Sequence, residues 1–121
     1  LPFDRMGDIW SGILMKKVCD HLGWNVSSGV PYIHHDRASN VFANLKKEAN
    51  GLEVNEKFWE HVDGFSFSNI GPSQTTTGGL FTSLYYEMGA HVEKFSAFPE
   101  HEMYFRSLGL AMKTWSVLFR P

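Results

Sequence analysis

The feature that most constrains this chain is its last forty residues. Apolar side chains recur there at the three-and-four spacing of one helix face twice in succession. The first set runs from Leu80 to Phe95 (Leu80, Phe81, Leu84, Tyr85, Met88, Val92). The second runs from Pro99 to Phe119 (Met103, Phe105, Leu108, Ala111, Met112, Trp115, Phe119). Only a short turn around Ala97-Phe98 separates them, so residues 80–119 are expected to close as an antiparallel helical hairpin, with Pro99 at a first-turn position. A third period of this kind, Ile9, Trp10, Ile13, Leu14, Val18 and Leu22, marks an amphipathic helix from about Gly7 to Leu22. Asp8 lies in its first turn, facing the positive end of the dipole, and Gly23 stands just past its end, where a left-handed residue is cheap.

Between these helices the pattern changes. From Trp24 to His35 short β-branched and aromatic pieces are broken by Ser27-Ser28-Gly29 and Pro31, and Val30 to His35 reads as a short strand or a loop against a sheet edge. A second helix is expected after Ser39-Asn40, carrying Val41, Phe42, Leu45 and Ala49. Gly51 should stop it, with Lys46 and Lys47 on its last turn at the negative dipole end. A short helix from Glu56 to about Val62, capped by Asn55, is expected to follow. Gly64 to Gly79, rich in Gly, Ser, Thr and Asn, forms the longest loop-like stretch, of a length usually associated with function. The four tryptophans, Trp10, Trp24, Trp59 and Trp115, are read as core anchors. About half the chain is expected to be helical, with one or two short strands.

Composition narrows the function classes. At 121 residues the chain is one domain's worth, and 13 acidic against 11 basic residues leave none of the basic footprint on which nucleic-acid binding is argued. A single cysteine cannot form an internal disulfide, and Cys19 sits in an apolar helical pattern, which points to a reducing, cytoplasmic setting. The apolar runs are far shorter than the roughly 20 residues needed to cross a bilayer, so no membrane partner is expected. Self-contained catalytic signatures are missing: there is no Asp-X-Asp, Cys-X-X-Cys, His-Glu-X-X-His, P-loop, Gly-X-Ser-X-Gly or dinucleotide fingerprint. His21, His61, His91 and His101 fall on helices without partners at metal spacing and read as structural. What remains is Gly29 to Glu48, where His, Asp, Arg, Asn and Lys crowd together behind the possible strand, a composition able to hold a diphosphate and a divalent ion.

Three segments carry a resemblance: G-D-I-W-S-G at Gly7 to Gly12, V-C-D-H-L-G at Val18 to Gly23, and G-V-P-Y-I-H-H-D-R-A-S-N-V-F-A-N-L-K-K-E at Gly29 to Glu48. Together they resemble the C-terminal part of the reversibly glycosylated polypeptides, the UDP-arabinopyranose mutase family. The likeness resumes in the closing helices and is weaker between about Leu52 and Gly79. It implies that this chain is the tail of a larger α/β, GT-A-like (Rossmann-like) nucleotide-sugar domain. In that domain an N-terminal half binds UDP and a Mn2+ or Mg2+ ion through an aspartate motif.

The same resemblance implies that His35 completes the metal coordination and that Asp8, matching an aspartate before Ile/Met-Trp, lies near the sugar as the catalytic carboxylate. It further implies that Arg37, Ser39, Asn40, Lys46 and Lys47 contact the substrate. The sequence departs from the family at Gly7, where a second acidic residue is usual, and at Arg37, where Lys is usual. Three functions stay open at this point: a mutase interconverting the pyranose and furanose forms of a UDP-arabinose-like sugar, a glycosyltransferase passing the sugar to a protein, glycan or modified-base acceptor, and a non-catalytic helical association module. The first two imply a UDP-sugar, and an N-terminal half or oligomer partner packed on an exposed apolar surface.

Overall fold

The structure, a computed structural model, describes residues 3, 6–30, 40–68 and 77–119. Four α-helices follow one another: α1 (Gly7–His21), α2 (Val41–Asp63), α3 (Thr77–Val92) and α4 (Glu102–Leu118), the last entered through a single 3-10 turn at Pro99–His101. The fold is mainly α, as the periodicity predicts. No strand occurs among the described residues; the possible strand at Val30 to His35 falls almost wholly outside them.

The ends of α1 follow their punctuation. Asp8 occupies the first turn, and Gly23 adopts φ +70°, letting its N–H reach the Asp20 carbonyl at 3.1 Å and the Trp24 N–H reach the Cys19 carbonyl at 2.8 Å. The closing hairpin also forms. Residue numbers rise on α3 as they fall on α4: Tyr85 meets Trp115 (ring centroids 5.5 Å), Glu93 accepts from Lys113 (2.7 Å), and Phe95 meets Phe105 (4.5 Å). The two backbones touch at Gly89 and Gly109, where a Cβ on Gly89 would stand 2.9 Å from the Gly109 carbonyl oxygen. Missing side chains at these two positions set the helix separation.

The middle of the chain departs from the sequence expectation. Gly51 does not end a helix and Asn55 does not cap one; α2 runs unbroken through both for 23 residues. The physical reason is tertiary. Gly51 is buried, and a Cβ there would come within 2.6 Å of Met6 Cγ, so the glycine makes the hole that Met6 fills. Asn55 uses its side chain across the interface, its Oδ1 accepting from Trp10 Nε1 at 2.9 Å. A mid-helix glycine costs roughly 1 kcal/mol relative to alanine, and burying the methionine offsets it.

These contacts also fix direction. Met6 meets Gly51, Trp10 meets Asn55, and Lys17 Nζ donates to the Asp63 carbonyl at 2.6 Å, so α1 and α2 run parallel. Because Met6 lies opposite Gly51, the ten residues of α2 before Gly51 extend past the start of α1 by about 15 Å at 1.5 Å per residue. Val41, Phe42, Leu45 and Ala49 are therefore exposed, with Phe42 77% accessible. Lys46 and Lys47 lie in the second turn of a long helix rather than its last, so no C-terminal dipole stabilises them.

The core lies where the parallel pair meets the hairpin. Trp10 is its centre, 1% exposed, with Phe58 at 4.9 Å, Phe105 at 5.4 Å and Phe3 at 5.1 Å between ring centroids. Of the four tryptophans only Trp10 is a core anchor. Trp24, Trp59 and Trp115 keep 39%, 48% and 42% of their surface; Trp24 lies beyond the end of α1, stacked on Phe81, and the other two sit on α2 and α4 outside the buried stripe. Cys19 is buried and reduced. The buried hydroxyls of Thr82 and Ser116 bond back to carbonyls one turn earlier, and no buried side-chain donor or acceptor among the described residues lacks a partner.

Candidate functional site

Parallel packing of α1 and α2 turns both helix N-termini to the same side of the molecule. Asp8 is exposed in the first turn of α1, where its own backbone carbonyl accepts from Ser11 Oγ at 3.0 Å. Asn40 stands at the start of α2, its Oδ1 accepting from the Ala43 N–H at 3.0 Å. Lys46 and Lys47 are exposed on the overhanging turns. Of the sequence-named residues, Asp8, Asn40, Lys46 and Lys47 thus lie toward the side on which both helices begin, with Asn40 about 15 Å beyond the start of α1 on the overhang and Lys46 and Lys47 between; Arg37, Ser39 and His35 lie outside the described residues.

The electrostatics of this end favour an anion beside α2. The first turn of α2 itself carries no acidic residue at the positive end of the helix dipole, and two lysines follow within two turns. Asp8 supplies the one carboxylate in the first turn of α1. The Asn40 oxygen is engaged as a cap; its side-chain amide N–H groups are the part able to donate to a ligand. Beside the Met6–Gly51 contact opens a groove of about 590 Å3, with Ala49, Asn50, Glu53, Glu100 and His101 among its walls. Asp8, Lys46 and Lys47 do not line it. Among the described residues no three His, Cys, Asp or Glu side chains come together to hold a metal ion.

One arrangement escaped sequence reasoning. His61 and His91, thirty residues apart, stack at 3.8 Å between centroids and 10° between planes. Each ring donates from Nε2 to the other's backbone carbonyl, His61 to His91 at 3.0 Å and His91 to His61 at 2.8 Å. Both lie in the last turn of their helices; the His91 carbonyl also accepts from the Lys94 N–H at 3.0 Å, so His61 adds a second donor to it. Burial holds His91 below the usual histidine pKa, and the charges of His61, Lys94 and Lys17 act in the same direction against the hydrogen bond to His61. The structural reading of these histidines holds, but their pairing depends on tertiary register that spacing alone does not encode.

No helix among the described residues is long and apolar enough to cross a membrane. Residues 1–120 match the family model described as Reversibly glycosylated polypeptide. The chain is 40% identical over 115 residues to the probable UDP-arabinopyranose mutase 1 of Solanum tuberosum. It is 38% identical over 115 residues to UDP-arabinopyranose mutase 3 of Arabidopsis thaliana, and 36% identical over 116 residues to UDP-arabinopyranose mutase 1 of Oryza sativa subsp. japonica. Each alignment takes in 94% of this chain and 29% of the relative, so the chain spans about three-tenths of the length of the curated relatives it matches. No solved structure matches it.

Proposed function

Because the chain belongs to the reversibly glycosylated polypeptide family, we propose that it forms the C-terminal part of a UDP-sugar mutase interconverting the pyranose and furanose forms of a UDP-arabinose-like sugar. The observation that carries this reading is the match over residues 1–120, with relatives named as UDP-arabinopyranose mutases at up to 40% identity. Since the chain covers 29% of those relatives, turnover requires the remaining polypeptide.

In such a reaction the diphosphate leaves and returns at the same sugar carbon while the ring changes size. The site must therefore hold free UDP close to a positively charged sugar. The shared end of α1 and α2 suits both demands. The N-terminus of α2, Lys46 and Lys47 offset phosphate charge there with Asn40 as a donor, and the resemblance adds Arg37 and Ser39, which lie outside the described residues. The Asp8 carboxylate orients a sugar hydroxyl or stabilises positive charge at the anomeric carbon. A Mn2+ or Mg2+ ion, which would polarise the leaving diphosphate, belongs to the proposal with His35 as this chain's ligand. The described residues do not form a metal site by themselves, so the other ligands come from the rest of the enzyme.

The test is a chimera in which this chain replaces the matching stretch of the Solanum tuberosum relative, assayed with UDP-arabinopyranose and Mn2+. Ring-isomerised UDP-sugar as product supports the proposal. Sugar transferred to an added acceptor would replace it with the glycosyltransferase reading, and a folded chimera with no turnover of either kind would refute it.

A further inference from the structure

Helix α4 has two apolar faces. One is buried in the core through Phe105, Gly109, Met112 and Ser116. The other is exposed: Met103, Leu110 and Val117 recur every seven residues and keep 81%, 57% and 60% of their surface, with Leu118 at 73%. The helix's three charged residues, Glu102, Arg106 and Lys113, are tied up along one side. Arg106 pairs with Glu102 one turn earlier at 3.7 Å, and Lys113 with Glu93 of α3 at 2.7 Å. An amphipathic surface helix keeps the side away from its core stripe polar, whereas α4 carries a second apolar stripe there, interrupted only by Ser107 and Thr114, and such a stripe is covered in an assembled protein.

The exposed face continues sideways. A groove of about 440 Å3 along α4, lined by Ser107, Leu110, Ala111, Thr114, Trp115 and Leu118, shares Ala111 and Trp115 with a second groove of about 340 Å3. That second groove reaches Phe81 and Tyr85 on α3 and Met15 on α1, where Met15 is 52% exposed. Three helices thus contribute to one continuous apolar surface, and surfaces of this kind on a folded chain mark interaction sites.

We infer that this surface is the seat of the remaining polypeptide of the enzyme, the part of the family's chain that lies outside the matched stretch. Resting on the mutase reading, the inference deepens it by naming the face. The matched stretch is 29% of each relative, so a body more than twice its size must pack somewhere on it. The anion-favouring end of α1 and α2 is built from Asp8, Asn40, Lys46 and Lys47, none of which belongs to the α4 surface. The remaining polypeptide therefore docks through α4 without its apolar contact covering those four residues.

The probe is the remaining polypeptide of the Solanum tuberosum relative, expressed without the matched stretch and titrated with this chain. Leu110→Lys and Leu118→Lys, both at exposed positions, are the variants; far-UV circular dichroism and melting temperature verify that they fold as the parent does. A 1:1 complex with the parent chain, weakened at least tenfold by the paired substitutions, is the expected result. A complex indifferent to the substitutions, or no complex with the parent, overturns the inference. A parent chain that dimerises alone and is made monomeric by them assigns the face to a second copy and overturns it too.

The same substitutions in the chimera separate this inference from the functional reading. Undiminished turnover sinks the docking face and leaves the mutase standing. Substitution-sensitive binding with no turnover in the parent chimera does the reverse.

Discussion

Replacing Gly109 with alanine opposes two effects that the structure allows to be weighed. Helix propensity alone makes the change favourable by roughly 1 kcal/mol, since glycine is the weakest ordinary residue in a helix interior. Packing reverses the sign. A Cβ at position 109 would stand 2.8 Å from the Glu93 backbone nitrogen and collide with the Gly89 carbonyl oxygen, both of them backbone atoms at the α3 side of the contact. Ordinary contact begins near 3.4 Å, so α3 and α4 must part by at least half an ångström. A gap of about 0.5–1 Å forfeits roughly a quarter to a half of the dispersion energy of the atoms concerned.

Leu84, Met88, Val92, Phe105 and Met112 are the buried side chains at this interface. At roughly 1.5–3 kcal/mol each, losing a quarter of their packing costs about 2–4 kcal/mol, and the propensity gain leaves a net loss of about 1–3 kcal/mol. Gly12→Ala is the control: Gly12 lies in α1 with nothing within 4 Å of an added methyl, so only propensity acts and a gain of up to about 1 kcal/mol is expected. Gly51→Ala falls between, because its obstacle is the flexible Met6 side chain. Urea denaturation reads all three as shifts in midpoint at constant slope. A Gly109→Ala chain as stable as the parent would refute the close approach of α3 and α4.

Three further outcomes follow from the same contacts. Trp10→Phe removes the donor to Asn55 Oδ1 and leaves a void at the core's centre, so a loss of about 2–4 kcal/mol is expected in the same denaturation experiment. Asn40→Ala removes the cap of α2 at a cost of roughly 0.5–2 kcal/mol, and since the overhanging turns pack on little, amide exchange at Ala43 and Asn44 should accelerate while global stability barely changes. The lowered pKa of His91 means the fold favours the neutral ring. Its stabilising contribution is complete above about pH 6.5 and is lost as pH falls through the lower folded-state value. Melting temperature should therefore drop on acidification below that pH, and a His91→Gln chain should show a shallower drop.

How legible the molecule was in its sequence differs from element to element. The ends of α1, the closing hairpin and the cap at Asn40 could be read because each depends on local chemistry: a dipole partner, a left-handed glycine, a side-chain oxygen, a period of 3.6. Gly51 misled because the same residue serves as a helix stop or as a hole for a neighbour, and only the position of Met6 decides between them. Asn55 misled likewise, its oxygen being spent on Trp10 rather than on its own helix. The period through Val41, Phe42, Leu45 and Ala49 signals an apolar face but not whether anything within the chain covers it, and Phe42 and Leu45 are exposed. The residues proposed for the site rest on the resemblance carried by Gly7 to Gly12 and Gly29 to Glu48. The site's setting at the shared end of two parallel helices required the register between Met6 and Gly51.

The central claim is that the end of the molecule where α1 and α2 begin acts on the sugar of a UDP-sugar. The most direct measurement is the turnover number of the Asp8→Asn variant, placed in the chimera with the Solanum tuberosum relative and supplied with UDP-arabinopyranose. Asp8 is exposed and carries no packing, so the melting temperature should fall only slightly, reflecting the roughly 0.3–1 kcal/mol that a first-turn carboxylate contributes against the helix dipole. A fall in turnover of about 100-fold or more is the expected result, the scale of losing a group that stabilises developing charge. Turnover equal to that of the parent chimera would contradict the account.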